Sequence, residues 1–106
     1  MTHYAIANLR NVRPNAGIVE YLERIDATLA PFGGHFIVHG GEPETIEGQW
    51  DGTLIVIEFP DHERARGWYD SPQYREILPL RTENSDGVAV LLAGVDRDHR
   101  ATDVLE

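Results

Sequence analysis

The residues able to carry chemistry are few and widely spaced. Glu58 is the lone carboxylate in the apolar run Thr53-Leu54-Ile55-Val56-Ile57-Glu58-Phe59-Pro60. Desolvation in such surroundings disfavours the charged form of a carboxyl group, which is one way to build a general base. The plainer reading places Glu58 at the strand exit, reaching water or pairing with Arg10 or Arg81. Asn8, Arg10 and His39 come from other predicted strands, and strand parity decides which of them join Glu58. If Asn8, His39 and Glu58 share a face, they form a polar pocket with a base, a donor and a titrating imidazole. The opposite parity scatters them.

His35 and His39 stand four residues apart, a spacing that would align two imidazoles on a helix. On a strand rising about 3.3 Å per residue, the same spacing separates them by roughly 13 Å, so no shared metal is expected. His3, His62 and His99 belong to other elements. Trp68, Ser71 and Tyr74 follow helical spacing and group two aromatics with a hydroxyl, as candidates for contacting a ligand. Each also has a structural explanation: the aromatics pack a helix on a sheet, and Ser71 caps a helix. Trp50, in Gly48-Gln49-Trp50-Asp51-Gly52, stands in a connector where it could cover a pocket mouth or a subunit edge. Gly33-Gly34 and Gly40-Gly41 flank a strand instead of opening a helix, so no phosphate loop is present. A serine nucleophile with its elbow is absent too. Arg64 and Arg66 read as a solvated helix face.

The elements that must position these residues follow from apolar spacing. His3 to Asn11 alternates as a first strand. Ile18, Leu22, Ile25 and Leu29 fall at helical spacing, predicting a helix from about Asn15 to about Ala30, with Pro14 suited to its first turn and Gly33-Gly34 to its exit. His35 to His39 is a second strand, and Ile46 to Trp50 a weak extra edge strand. Thr53 to Pro60 is apolar on both parities, the mark of a strand covered on both faces. Asp61 caps a helix through Ala65, Trp68 and Tyr69. Ser71-Pro72 restarts it as a short helix through Gln73, Tyr74, Ile77 and Leu78 that Pro79 ends. Gly87 to Ala93 is the last strand. Residues 1–95 therefore form a single domain, and residues 96–106 a charged tail, either a flexible extension or an arm that orders only against a partner.

The order β-α-β-β-α-β predicts a ferredoxin-like α+β fold, an antiparallel sheet with helices on one face. Two helices leave the other face bare although the central and last strands are apolar on both sides. The simplest cover is the equivalent sheet of a second subunit, making a homodimeric α/β barrel. At 106 residues and 42% hydrophobic content the chain has a high surface-to-volume ratio, and self-association would bury more. Its net charge of −9 repels phosphate backbones and anionic lipid, so neither nucleic acid nor membrane is an expected partner. Without cysteine there is no disulfide or thiolate chemistry. No targeting or membrane-spanning stretch is seen, and a cytoplasmic protein is expected.

Three blocks in order, Phe32-Gly33-Gly34-His35-Phe36-Ile37-Val38-His39-Gly40-Gly41, Val56-Ile57-Glu58-Phe59-Pro60 and Trp68-Tyr69-Asp70-Ser71-Pro72-Gln73-Tyr74, resemble the domain of unknown function 1330 family. The resemblance spans Tyr4 to Val95. It implies membership of the dimeric α/β-barrel superfamily, with the sheets of two subunits facing each other. His39 departs from the pattern, which more often carries arginine or lysine there. If that basic residue grips an anion, the grip here is weaker or depends on pH. The Trp-x-x-Ser stretch is also similar to one in haem-degrading and cofactor-free monooxygenases of that superfamily, which tend to place an asparagine where Asn8 stands. The haem-degrading type needs an axial histidine where this chain has Glu76, Ile77, Leu78 and Pro79, so haem is set aside and no cofactor is expected.

Two readings of function remain open. In one, the chain is a small enzyme or binder of a small organic molecule, with Asn8, His39, Glu58, Trp68 and Tyr74 as candidate lining. In the other it is a non-catalytic dimeric structural or regulatory module. Fold alone does not separate them.

Overall fold

The computed structural model describes residues 1–106. Strand β1 runs over His3–Arg10, helix α1 over Ala16–Leu29, β2 over His35–Val38 and β3 over Thr53–Phe59. Helix α2 spans His62–Asp70, α3 Pro72–Thr82 and β4 Asp86–Ala93. The four strands form one antiparallel sheet in the order β2-β3-β1-β4, and the helices lie on one side of it, a ferredoxin-like arrangement. No helix is long and apolar enough to cross a membrane.

Local chemistry sets the helix ends. Asn15 caps α1, its Oδ1 accepting from the Ile18 N–H at 3.1 Å, so Pro14 lies just outside the helix rather than in its first turn. Asp61 caps α2 through the Arg64 N–H at 2.8 Å. Ser71 serves both neighbouring helices: its hydroxyl donates to the Trp68 carbonyl at 2.8 Å and accepts from the Tyr74 N–H at 3.2 Å.

Two expected boundaries differ. Helix α3 does not stop at Pro79 but continues to Thr82. Proline costs a helix its own N–H bond yet holds a helical φ. The turn beyond it is secured by Glu83 N–H on the Pro79 carbonyl (2.9 Å), Asn84 Nδ2 on that of Leu80 (2.7 Å) and Ser85 Oγ on that of Arg81 (2.7 Å). Residues Ile46 to Trp50 form no strand, and Ile46 is exposed. With Gly48 at φ +67° and Gly52 at φ +108°, the segment turns too often to offer a ladder.

Register sorts the side chains. Ala5 pairs with Ile57 and Leu91, and Ala7 with Ile55 and Ala89, on the face beneath the helices. There Phe59, Ala65, Ile77, Tyr74, Trp68, Leu29 and Ile25 make the core. The inward stripe of α1 is Tyr21, Ile25, Thr28 and Leu29, with Leu22 left 47% exposed. The helix is turned this way because it packs along α3 and not flat on the strands.

The opposite face carries Tyr4, Ile6 and Asn8 of β1, Leu54, Val56 and Glu58 of β3, and Val88, Val90 and Leu92 of β4. A bulge at Ile37 brings Val38 opposite Val56 on this side as well. Val88, Val90 and Leu92 are 64%, 51% and 55% exposed. Beyond β4, a turn of 3-10 helix over Ala101–Leu105 is closed by the Arg100 N–H on the Asp103 carboxylate at 3.0 Å, leaving Val104 and Leu105 in solvent.

Candidate functional site

Asn8 and Glu58 share the bare face of the sheet but do not meet. Asn8 pairs with Leu54 and Glu58 with Tyr4, so they stand four positions apart along the strands, roughly 13 Å at about 3.3 Å per residue. His39 lies on the other side, its ring stacked on Phe36 at 4.4 Å. Glu58 has His35 as its ionic neighbour, 3.8 Å away and directly opposite in register. Neither Arg10 nor Arg81 pairs with it: Arg10 ends β1 opposite Asp86, and Arg81 belongs to the far end of α3. Asn8 donates to the Asp51 carbonyl at 3.1 Å, while its buried Oδ1 has no partner and abuts Gly52. Trp50 donates to the Gly52 carbonyl at 3.0 Å and remains on the connector.

The structure gathers a different set. A cavity of about 420 Å³ lies between sheet and helices. Ala5, Ala7 and Leu9 of β1 and Thr53, Ile55 and Ile57 of β3 form its floor, and Ile18, Tyr21, Leu22 and Ile25 of α1 its roof. Trp68, Tyr69 and Tyr74 wall it from α2 and α3, with His39, Arg66 and Arg81 also on its lining. The gap exists because α1 leans on α3 and stands off the strands below it.

Its aromatic wall is held rigidly. The Trp68 and Tyr74 rings lie 4.1 Å apart, and the indole Nε1 donates to Thr28 Oγ1 at 3.0 Å, which in turn donates to the Ile25 carbonyl at 2.6 Å. The Tyr21 and Tyr74 hydroxyl oxygens are 2.7 Å apart. Burial, reinforced by Tyr74, pushes the Tyr21 pKa well above the ordinary phenol value, so its proton stays in place. Arg81 stands beside both oxygens. Burial disfavours its charge, but Tyr74 and Tyr21 more than offset this and the guanidinium stays protonated.

Tyr69 lies beneath two arginines, Arg75 at 4.6 Å and Arg66 at 5.8 Å from the ring centre. Both are tied to Asp70, at 3.0 and 2.9 Å, and these hydrogen bonds, that of Arg75 first, hold the Asp70 carboxyl below its usual range. An apolar chamber with an aromatic wall, three phenols, two guanidiniums and an imidazole can enclose a small organic molecule and orient its polar end.

Of the residues singled out from sequence, Trp68, Tyr74 and His39 line this cavity, whereas Asn8, Glu58, Arg10 and Trp50 do not, and Ser71 holds the helix junction. Tyr21 and Arg81 were not foreseen. The signal for Tyr21 was its spacing of four from Ile25, obscured by the stronger aliphatic series through Leu22. Arg81 was hidden by ending the helix at Pro79.

The sequence pattern of DUF1330, a domain of unknown function, matches residues 2–95. The chain belongs to the DUF1330 family. No curated protein matches it. Among solved structures, this DUF1330 chain is similar to RPA0582 of Rhodopseudomonas palustris, a protein of unknown function, at 15% identity over 90% of this chain and 83% of that one, with a TM-score of 0.67. It is also similar to SnoaB of Streptomyces nogalater, a cofactor-independent oxygenase, at 17% identity over 93% and 96% of the two chains, TM-score 0.55. A dimeric ferredoxin-like protein of unknown function from Thermobifida fusca is 18% identical over 89% and 92%, TM-score 0.52. At these identities the likeness is one of fold.

Proposed function

We propose that this DUF1330 protein is a cytoplasmic homodimer that binds, and in one form of the reading transforms, a small organic molecule in the cavity between sheet and helices. The cavity carries this reading: 18 of its 23 lining residues are hydrophobic, and its size falls in the range of roughly 300–1,000 Å³ usual for small-molecule sites. SnoaB, a similar fold, is a cofactor-independent oxygenase, so this architecture accommodates small-molecule chemistry. The bare apolar sheet face supports the homodimer, since a second copy would cover it with the same surface.

The test is binding of a neutral apolar fluorophore, N-phenyl-1-naphthylamine, to the purified protein. Saturable fluorescence enhancement, abolished when Ala7→Phe fills the cavity floor, is the expected result. No enhancement, or enhancement that survives Ala7→Phe in a folded protein, overturns the reading. The second reading, a non-catalytic dimeric module, draws on the separation of Asn8, Glu58 and His39, and stands if the cavity takes no ligand.

A further inference from the structure

The charge on the cavity wall runs against that of the molecule. The chain has 18 acidic and 9 basic residues, yet no aspartate or glutamate lines the cavity, and its two full charges are Arg66 and Arg81. Arg66 is ion-paired with Asp70 at 2.9 Å, a carboxylate it shares with Arg75. Arg81 is half-buried and forms no ion pair. A guanidinium withdrawn from water without a counter-ion is costly, and an anion brought to it recovers that cost.

The tyrosine pair beside it adds to the argument. In the 2.7 Å contact one hydroxyl donates to the other, which uses one of the two hydroxyl hydrogens. The second has no acceptor in the protein and is available to a ligand. A guanidinium fork and a phenolic O–H on one side of an apolar chamber are the donor set that recognises a carboxylate. We infer that the cavity takes an apolar carboxylic acid, its carboxylate on Arg81 and the Tyr21–Tyr74 hydroxyls and its hydrocarbon or ring portion against Trp68, Ile25 and Ile55. This rests on the cavity being a small-molecule site. The overall negative charge opposes such a ligand at a distance, but at physiological salt that field is screened beyond about 8 Å and the local guanidinium decides.

The experiment uses two probes of the same shape, one anionic and one neutral, 2-naphthoic acid and 2-naphthamide, displacing N-phenyl-1-naphthylamine at neutral pH and physiological salt. The acid is expected to displace the fluorophore at least tenfold more effectively than the amide. Arg81→Gln should erase that preference while the fluorophore still binds, and Arg81→Lys should retain part of it. Equal displacement by acid and amide from the natural protein overturns the inference, as does a preference that survives Arg81→Gln. If Arg81→Gln does not fold, the comparison on the natural protein and on Arg81→Lys decides. In each of these outcomes the fluorophore has bound, so the cavity reading stands independently; failure of the fluorophore itself would count against that reading instead.

Discussion

The hydroxyl oxygens of Tyr21 and Tyr74 lie 2.7 Å apart and join α1 to α3 at the roof of the cavity. Both side chains are buried, at 9% and 2% exposure, so this bond is the buried polar link of a helix contact that Arg24 and Glu76 also bridge at its surface, 3.2 Å apart.

Removing both hydroxyls should therefore cost less than the two single removals added together. Tyr74→Phe leaves the Tyr21 oxygen buried without its partner, a loss of about 1–3 kcal/mol. In Tyr21→Phe/Tyr74→Phe the total should fall short of the sum of the single changes, which denaturant melts of all four proteins would show. The same pair predicts a pH effect. Tyr21 ionises far less readily folded than unfolded, so its contribution to stability is complete below the unfolded phenol pKa of about 10 and is lost as pH rises above it. Ultraviolet titration of the folded protein should find one tyrosine that does not ionise in the ordinary range, and Tyr74→Phe should bring its titration down.

Gly52 and Gly87 both press on Asn8 but with different consequences. A Cβ at Gly52 (φ +108°) would meet the Asn8 side-chain oxygen at 2.2 Å, and one at Gly87 (φ +145°) the Asn8 main-chain oxygen at 2.2 Å. Each alanine also bears the strain of positive φ, about 1–3 kcal/mol. Asn8→Ala should relieve part of the damage in Gly52→Ala by removing the clashing amide. It should leave Gly87→Ala unrescued, because the β1 backbone is fixed between β3 and β4. Thermal melts of the single and double variants check both.

The four strands are legible in the sequence because β1 is an alternating run closed by Asn11 and the others are short apolar runs bounded by glycine, proline or aspartate. The two faces of the sheet follow from strand period alone. What could not be read is how the layers rotate against each other. The side of α1 that turns inward depends on its contact with α3, and moves the stripe from Leu22 to Tyr21. Whether Pro79 ends a helix depends on side chains that satisfy the carbonyls beyond it, Asn84 and Ser85 among them. Those two facts place Tyr21 and Arg81 in the cavity. His39 could not be sorted against Asn8 and Glu58 because a bulge at Ile37 shifts the parity of β2 before His39 is reached.

At the other end of the sheet the His3 and His62 rings meet edge to face at 4.8 Å. Burial first, then the charge of His62, lowers the His3 pKa below 6.5, with Asp61 opposing. A histidine held neutral in the fold contributes stability that is present above the unfolded pKa of about 6.5 and is lost as pH falls through it. His62→Gln should raise the His3 midpoint without fully restoring it, since burial remains. Proton NMR of the imidazole signals across pH 5–8 reads this directly, and an unchanged midpoint would show that His62 is not a cause.

Leu92 tests what covers the bare face. It is 55% exposed, opposite Tyr4 near the end of edge strand β4, on the apolar surface that includes Val88, Val90, Ile6 and Val56. A carboxylate there costs the free subunit little, because the side chain already meets solvent. In a sheet-on-sheet homodimer the two-fold symmetry would bury that carboxylate in both subunits, and an uncompensated buried charge costs roughly 3–5 kcal/mol. Leu92→Glu should therefore shift the mass measured by light scattering from two chains to one while circular dichroism keeps the native fold. A natural protein that is already monomeric at micromolar concentration, or a Leu92→Glu dimer of unchanged affinity, would place the subunit contact elsewhere. Glu106→Gln, a charge change at the exposed end of the tail, is the control that should leave the mass alone.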